Sequence, residues 1–151
     1  MRSFPMLGVF VLLVALAGWC GSLFLPGAWY FSLNSPPLNP PGWVFGPVWS
    51  VLYLCMALAA WMVWRSDAGR SGPLVFWGIQ LAFNALWSFL FFGLHRPGLA
   101  LVEIICLWAL VALTAAAFFR ISRPAGWLLV PYLLWVSFAT YLNAGFWYLN
   151  A

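Results

Sequence analysis

Three clusters of side chains carry what chemistry this chain can do, and none is an acid–base pair. Phe45, Trp49 and Tyr53 recur every four residues within Pro40-Pro41-Gly42-Trp43-Val44-Phe45-Gly46-Pro47-Val48-Trp49-Ser50-Val51-Leu52-Tyr53. Gln80, Asn84, Trp87 and Phe91 follow i, i+4, i+7, i+11 and share one helix face. Trp135, Ala139 and Leu142 share another face, with Phe138 at its flank and Ala139 leaving room one turn from the indole. Lipid alone does not call for such faces, because an amide facing hydrocarbon leaves its donors and acceptors unpaired. Large rings with a few amides predict a pocket for a flat, mostly apolar molecule. A bare Asn inside a membrane has a simpler role as a link between helices, at about 0.6 kcal/mol. The company of Gln80 and Trp87 tips Asn84 toward the cavity.

Classical catalysis finds little support. His95 is the single histidine and has no second metal-ligating side chain beside it, so no metal site is expected. Glu103 is the one carboxylate inside an apolar run. About one turn into its helix, near the positive end of the dipole, it is expected to reach the interface or pair with Arg96, a structural role. Cys20, Cys55 and Cys106 form no CxxC pattern and are expected to be buried packing residues.

The elements that must position these side chains are membrane helices. Of 151 residues 66% are hydrophobic and 5% charged, with 12 Trp, and the mean hydropathy is +1.01, which excludes an ordinary soluble domain. Five apolar runs, near 6–25, 43–64, 74–94, 98–119 and 126–148, each have the length a helix needs to cross the hydrocarbon core. They lack the alternation of barrel strands. The expected fold is an all-α membrane protein, one domain over 1–151 built as a bundle of five transmembrane helices. Short connections predict that spans two to five are antiparallel sequential neighbours. The first span is read as a retained helix, not a cleaved signal. The uncharged, proline-rich segment 26–42, with Trp29 and Tyr30, is either an interfacial tether or a lid over a cavity.

The arginines give a direction. Arg2, Arg65, Arg70, Arg120 and Arg123 fall on the N-terminal side and Arg96 on the other, which predicts a cytoplasmic N-terminus and an outer C-terminus in a bacterial membrane. They form no patch for nucleic acid. On span three the small residues Gly78, Ala82 and Ala85, with Phe89, lie roughly 200° from the amide face. That face is expected to meet another helix, either in the same chain or in a homodimer.

The chain resembles the TspO/MBR family, the tryptophan-rich sensory proteins and translocator proteins once called peripheral-type benzodiazepine receptors. The resemblance rests on Asn39 through Trp49 to Tyr53, on Gln80 through Trp87, and on Pro131-Tyr132-Leu133-Leu134-Trp135 through Asn143. It implies a receptor, often dimeric, that binds porphyrins such as protoporphyrin IX or haem, and lipophilic isoquinoline carboxamides, with roles in tetrapyrrole regulation or transport. No intrinsic cofactor is implied; the porphyrin is the ligand. The implied ligand-binding residues are Phe45, Trp49, Tyr53, Asn84, Trp87, Trp135, Phe138 and Ala139, with Trp29 helping to close the site. Some members are implicated in light-dependent porphyrin breakdown, for which Trp49 and Trp135 match the tryptophans concerned. The sterol motif of animal members needs a base after a C-terminal Tyr, and Tyr148-Leu149-Asn150-Ala151 has none. Two other readings stay open, an enzyme using the ligand's own photochemistry and a membrane bundle with no small-molecule site.

Overall fold

The computed structural model describes residues 4–66 and 70–151. Arg2, counted in the charge asymmetry, and Asp67 lie outside the described residues. Among the described residues, five helices are long and apolar enough to cross a membrane. They are α1 (Phe4–Ser22), α3 (Phe45–Arg65), α4 (Ser71–Ser88), α5 (Pro97–Ile121) and α6 (Arg123–Leu149); a short α2 (Ala28–Phe31) lies in the first connection. Helices are the form in which such runs satisfy their own backbone in lipid. The ends follow local chemistry. Pro97 starts α5 where its missing N–H is not needed. The Ser122 hydroxyl accepts from the Ala125 N–H at the start of α6. Gly126 sits so close to the Phe119 ring that a Cβ there would overlap it, so the α5–α6 turn needs glycine. The first helix closes at Ser22, short of the expected Leu25, where Leu23 turns back onto the Cys20 carbonyl.

The helices close a ring in the order α1, α3, α6, α5, α4. This corrects one expectation. Short loops make α3 and α4 antiparallel, but α1 stands between them. Phe10 of α1 packs edge-on against Trp77 of α4 and Trp64 of α3. The Trp77 indole then reaches the Met56 carbonyl at 3.2 Å, so a side chain bridges helices whose backbones stay apart.

The ring is solid at the end carrying Arg65, Arg120 and Arg123. There Met56, Ala57, Ala59, Ala60 and Val63 of α3 are fully buried, with Val111 and Phe118 of α5 and Leu129 of α6. Arg65 and Arg70 cap this end by lying over the Trp61 and Trp64 rings at 4.7 and 4.3 Å. Outside, Leu12, Leu54, Val75, Val102 and Leu134 are exposed, as a surface solvated by acyl chains requires.

Candidate functional site: an aromatic cavity over a polar floor

Toward the opposite end the ring is hollow. The cavity holds about 620 Å³ and is lined by parts of all five long helices and the first connection, a size usual for small-molecule sites. Helix α3 presents Phe45, Trp49 and Tyr53 to it, α4 presents Asn84 and Trp87, the turn after α4 presents Phe91 and Phe92, and α6 presents Trp135 and Ala139. The spacing of four along α3 keeps its three rings on one stripe, with Trp49 and Tyr53 5.4 Å apart.

A chain of hydrogen bonds forms the floor. The Tyr53 hydroxyl donates to Asn84 Oδ1 at 2.8 Å. Asn84 Nδ2 donates to the Tyr132 hydroxyl at 2.9 Å, and that hydroxyl donates to Gln80 Oε1 at 2.7 Å. Three helices are thereby joined, and polar groups that lipid could not satisfy satisfy one another. Asn84 thus acts in both of its expected roles, linking helices while facing the cavity. A second amide, Asn143, accepts from the Trp87 indole at 2.9 Å and donates to the Pro97 carbonyl at 2.8 Å. It fixes the Trp87 ring, which also stacks on Phe91 at 5.0 Å.

Directly after α4 comes a π-helical turn, Phe89–Gly93, closed by Leu94 N–H to the Phe89 carbonyl at 2.8 Å. The wider turn lets the adjacent Phe91 and Phe92 both reach the cavity. Above them runs the first connection. Its Tyr30 packs on Phe92 and Phe146 at 5.5 and 5.2 Å. Tyr30, Phe31, Ser35 and Asn39 line the cavity, so the segment covers it. Two joints hold it to α6. Asn34 and Asn150 exchange bonds of 2.9 and 3.0 Å, and the Tyr141 hydroxyl donates to the Pro37 carbonyl at 2.7 Å. Pro36 is seated on Gly145, where a Cβ would come within 2.5 Å of it.

Seven of the nine expected ligand-binding residues line the cavity: Phe45, Trp49, Tyr53, Asn84, Trp87, Trp135 and Ala139. Two do not. Trp29 lies flat on His95 at 4.3 Å and 9°, leaving its neighbours Tyr30 and Phe31 to face inward. Phe138 faces an outer groove, because a helix that turns Ala139 inward turns the preceding residue about 100° away. His95 is an exposed residue of the connection before α5. It adopts a left-handed backbone (φ 56°) and stacks under the indole. The expected Arg96–Glu103 pairing does not form: Glu103 is buried and neither carboxyl oxygen has a hydrogen-bond partner among the described residues. Cys106 is exposed, while Cys20 and Cys55 are half-buried, so none is the fully buried packing residue expected. The small face of α4 points outward, with Gly78 and Ala82 exposed and Ala85 half-buried.

Sequence reasoning missed Gly18, Gly21 and Ser22 of α1, and Ile104 and Leu107 of α5, all of which line the cavity. The Gly18-Trp19-Cys20-Gly21-Ser22 run is a readable signal of close approach; Ile104 and Leu107 carry none in an apolar helix.

Comparison with known proteins agrees with this architecture. The sequence matches the profile of the TspO/MBR family over residues 10–149. It is 46% identical over 133 residues to the tryptophan-rich protein TspO of Chlorobaculum tepidum, covering 83% of this chain and 84% of that one. It is 38% identical over 152 residues to the protein CrtK of Rhodobacter capsulatus, covering 98% and 94%. It is 40% identical over 145 residues to the translocator protein of Bos taurus, covering 91% and 86%. With five membrane-length helices and these relatives, the chain is an integral multi-pass membrane protein and belongs to the TspO/MBR family.

Proposed function

We propose that the protein is a membrane receptor whose cavity takes a tetrapyrrole such as protoporphyrin IX, in tetrapyrrole regulation or transport. The observation that carries this reading is the meeting of Trp49, Trp87 and Trp135 around one cavity of about 620 Å³ floored by Tyr53 and Asn84. A flat macrocycle stacks on indoles that lose few rotors on binding, each ring pair adding about 0.5–1.5 kcal/mol beyond the area buried. The floor supplies an amide and a phenol to a polar edge. A lipophilic carboxamide fits the same requirements. The Gly78/Ala82/Ala85 face suits close approach by a second copy of the chain. Four described arginines at the solid end against Arg96 at the other favour a cytoplasmic solid end and an outward-facing lid; alkaline phosphatase fused after Ala151 is then active.

Titration of the purified protein with protoporphyrin IX, followed by Trp emission, tests the ligand. Saturable quenching is expected, with affinity about tenfold weaker in Trp135→Ala and in Asn84→Ala, roughly 1.4 kcal/mol each. Equal quenching in all three proteins means partition into detergent and defeats the reading.

Trp49 and Trp135 both line the cavity, which favours a second reading, light-driven oxidation of the bound pigment by dioxygen. Under illumination the pigment then bleaches faster with the wild type than with Trp49→Phe. Equal rates remove the enzyme reading and leave the receptor.

A further inference from the structure

Two boundaries of the cavity differ in strength. The lid is fastened to α6 by the Asn34–Asn150 pair, by Tyr141 on Pro37 and by Pro36 on Gly145. On the bilayer side, between α3 and α6, Trp135 is the one residue common to the cavity lining and an outer groove. An apolar groove of about 560 Å³ runs between Val48 and Val51 of α3 and Pro131, Leu134 and Phe138 of α6. Trp135 lines this outer groove and also lines the inner cavity.

That indole is also the less restrained of the two cavity tryptophans on α4 and α6. Trp87 is anchored through its N–H to Asn143. The Trp135 ring is held by an edge contact to Phe45 at 5.9 Å and a tilted contact to Phe138 at 5.7 Å, with no such anchor among the described residues. Just before it, Pro131 lies inside α6. A proline has no N–H to give the carbonyl four residues back, so α6 lacks one rung next to the ring. Rotation of Trp135 about its side-chain bonds would join groove and cavity without releasing the lid.

We infer that flat lipophilic ligands enter and leave the cavity sideways from the bilayer, between α3 and α6, with Trp135 as the gate. This rests on the cavity being a ligand site, as proposed above. The chemistry of the ligand favours the route: an apolar molecule concentrates in the acyl phase, so the bilayer and not the water beyond the lid is its reservoir.

The test uses the full chain in lipid nanodiscs, with protoporphyrin IX mixed rapidly and Trp quenching followed in time. Val51→Trp and Leu134→Trp fill the groove from residues that do not line the inner cavity. Both are exposed, and Val51→Phe and Leu134→Phe provide smaller versions if the larger ring perturbs folding. Association and dissociation are expected to slow together by about tenfold, with Kd held within about twofold, the signature of an obstructed path. A lid closed by a disulfide in Asn34→Cys/Asn150→Cys, with the native cysteines changed to Ser, leaves both rates unchanged. The opposite pattern, slow exchange with the tethered lid and normal exchange with the filled groove, overturns the lateral route. So does normal exchange in both, which moves the entrance to another seam. Failure of the wild type to bind saturably is distinct: it overturns the ligand reading, and the gate falls with it.

Discussion

The two halves of the bundle use the same five helices to opposite ends. In the half near Arg65 and Arg120, α3 contributes Met56, Ala57, Ala59, Ala60 and Val63, all fully buried. Small alanines let neighbouring helices approach until van der Waals contact fills the centre. In the other half the same helix contributes Phe45, Trp49 and Tyr53, none fully buried. Those rings line a space that none of them fills. The Tyr53–Asn84–Tyr132–Gln80 chain lies at the boundary between the halves. A bundle of this kind is made hollow by side-chain size along its helices, with no change of backbone class.

Four substitutions can break or sharpen that contrast. The largest effect belongs to Met56→Ala, which empties a fully buried site and is expected to cost about 2–5 kcal/mol. Trp49→Ala, at a wall already facing open space, costs no more than about 1 kcal/mol. Thermal unfolding in one detergent compares them, and a larger loss for Trp49→Ala removes the distinction between the halves. Enlarging side chains inverts the comparison. Ala60→Leu overpacks the solid half and costs about 1–3 kcal/mol. Ala139→Leu points into the cavity and changes stability by less than about 0.5 kcal/mol, while porphyrin affinity falls.

Tyr132→Phe tests the floor, since the ring stays and only the hydroxyl leaves. Asn84 Nδ2 and Gln80 Oε1 then lose a partner each, at about 1–3 kcal/mol. An unchanged melting temperature shows that the chain does not hold the halves together. At the lid the effect is local. Asn150→Ala removes the bonds to both backbone groups of Asn34, and amide exchange across 26–42 is expected to quicken about tenfold, roughly 1.4 kcal/mol. Exchange that does not change places the lid's hold at Tyr141 and Gly145 instead.

Several features are legible in the sequence because periodicity carries them. Gln80, Asn84 and Phe91 repeat on one helix face, an amide cannot face lipid, and all three are buried. The opposite face, with Gly78 and Ala82, is exposed. Periodicity gives relative angles along one helix and not the rotation of that helix against its neighbours. The resemblance implies Phe138 and Trp29 at the site, whereas Phe138 turns to the outer groove and Trp29 lies on His95. Glu103 shows another limit. Its place near a helix start predicts an interfacial partner, yet α5 turns the carboxyl into the protein, away from Arg96.

By itself the sequence determined that the chain lies in a membrane, that five helices cross it, and which stripes carry rings and amides. Hydropathy and helical period are properties of the chain alone, so they survive any packing. The tertiary structure decided that α1 separates α3 from α4, that Asn84 bonds Tyr53 and Tyr132, that Tyr30 and not Trp29 faces the cavity, and that Trp135 lines both the cavity and the outer groove. Each depends on how far neighbouring helices rotate and approach, which follows from the summed contacts of residues distant in sequence.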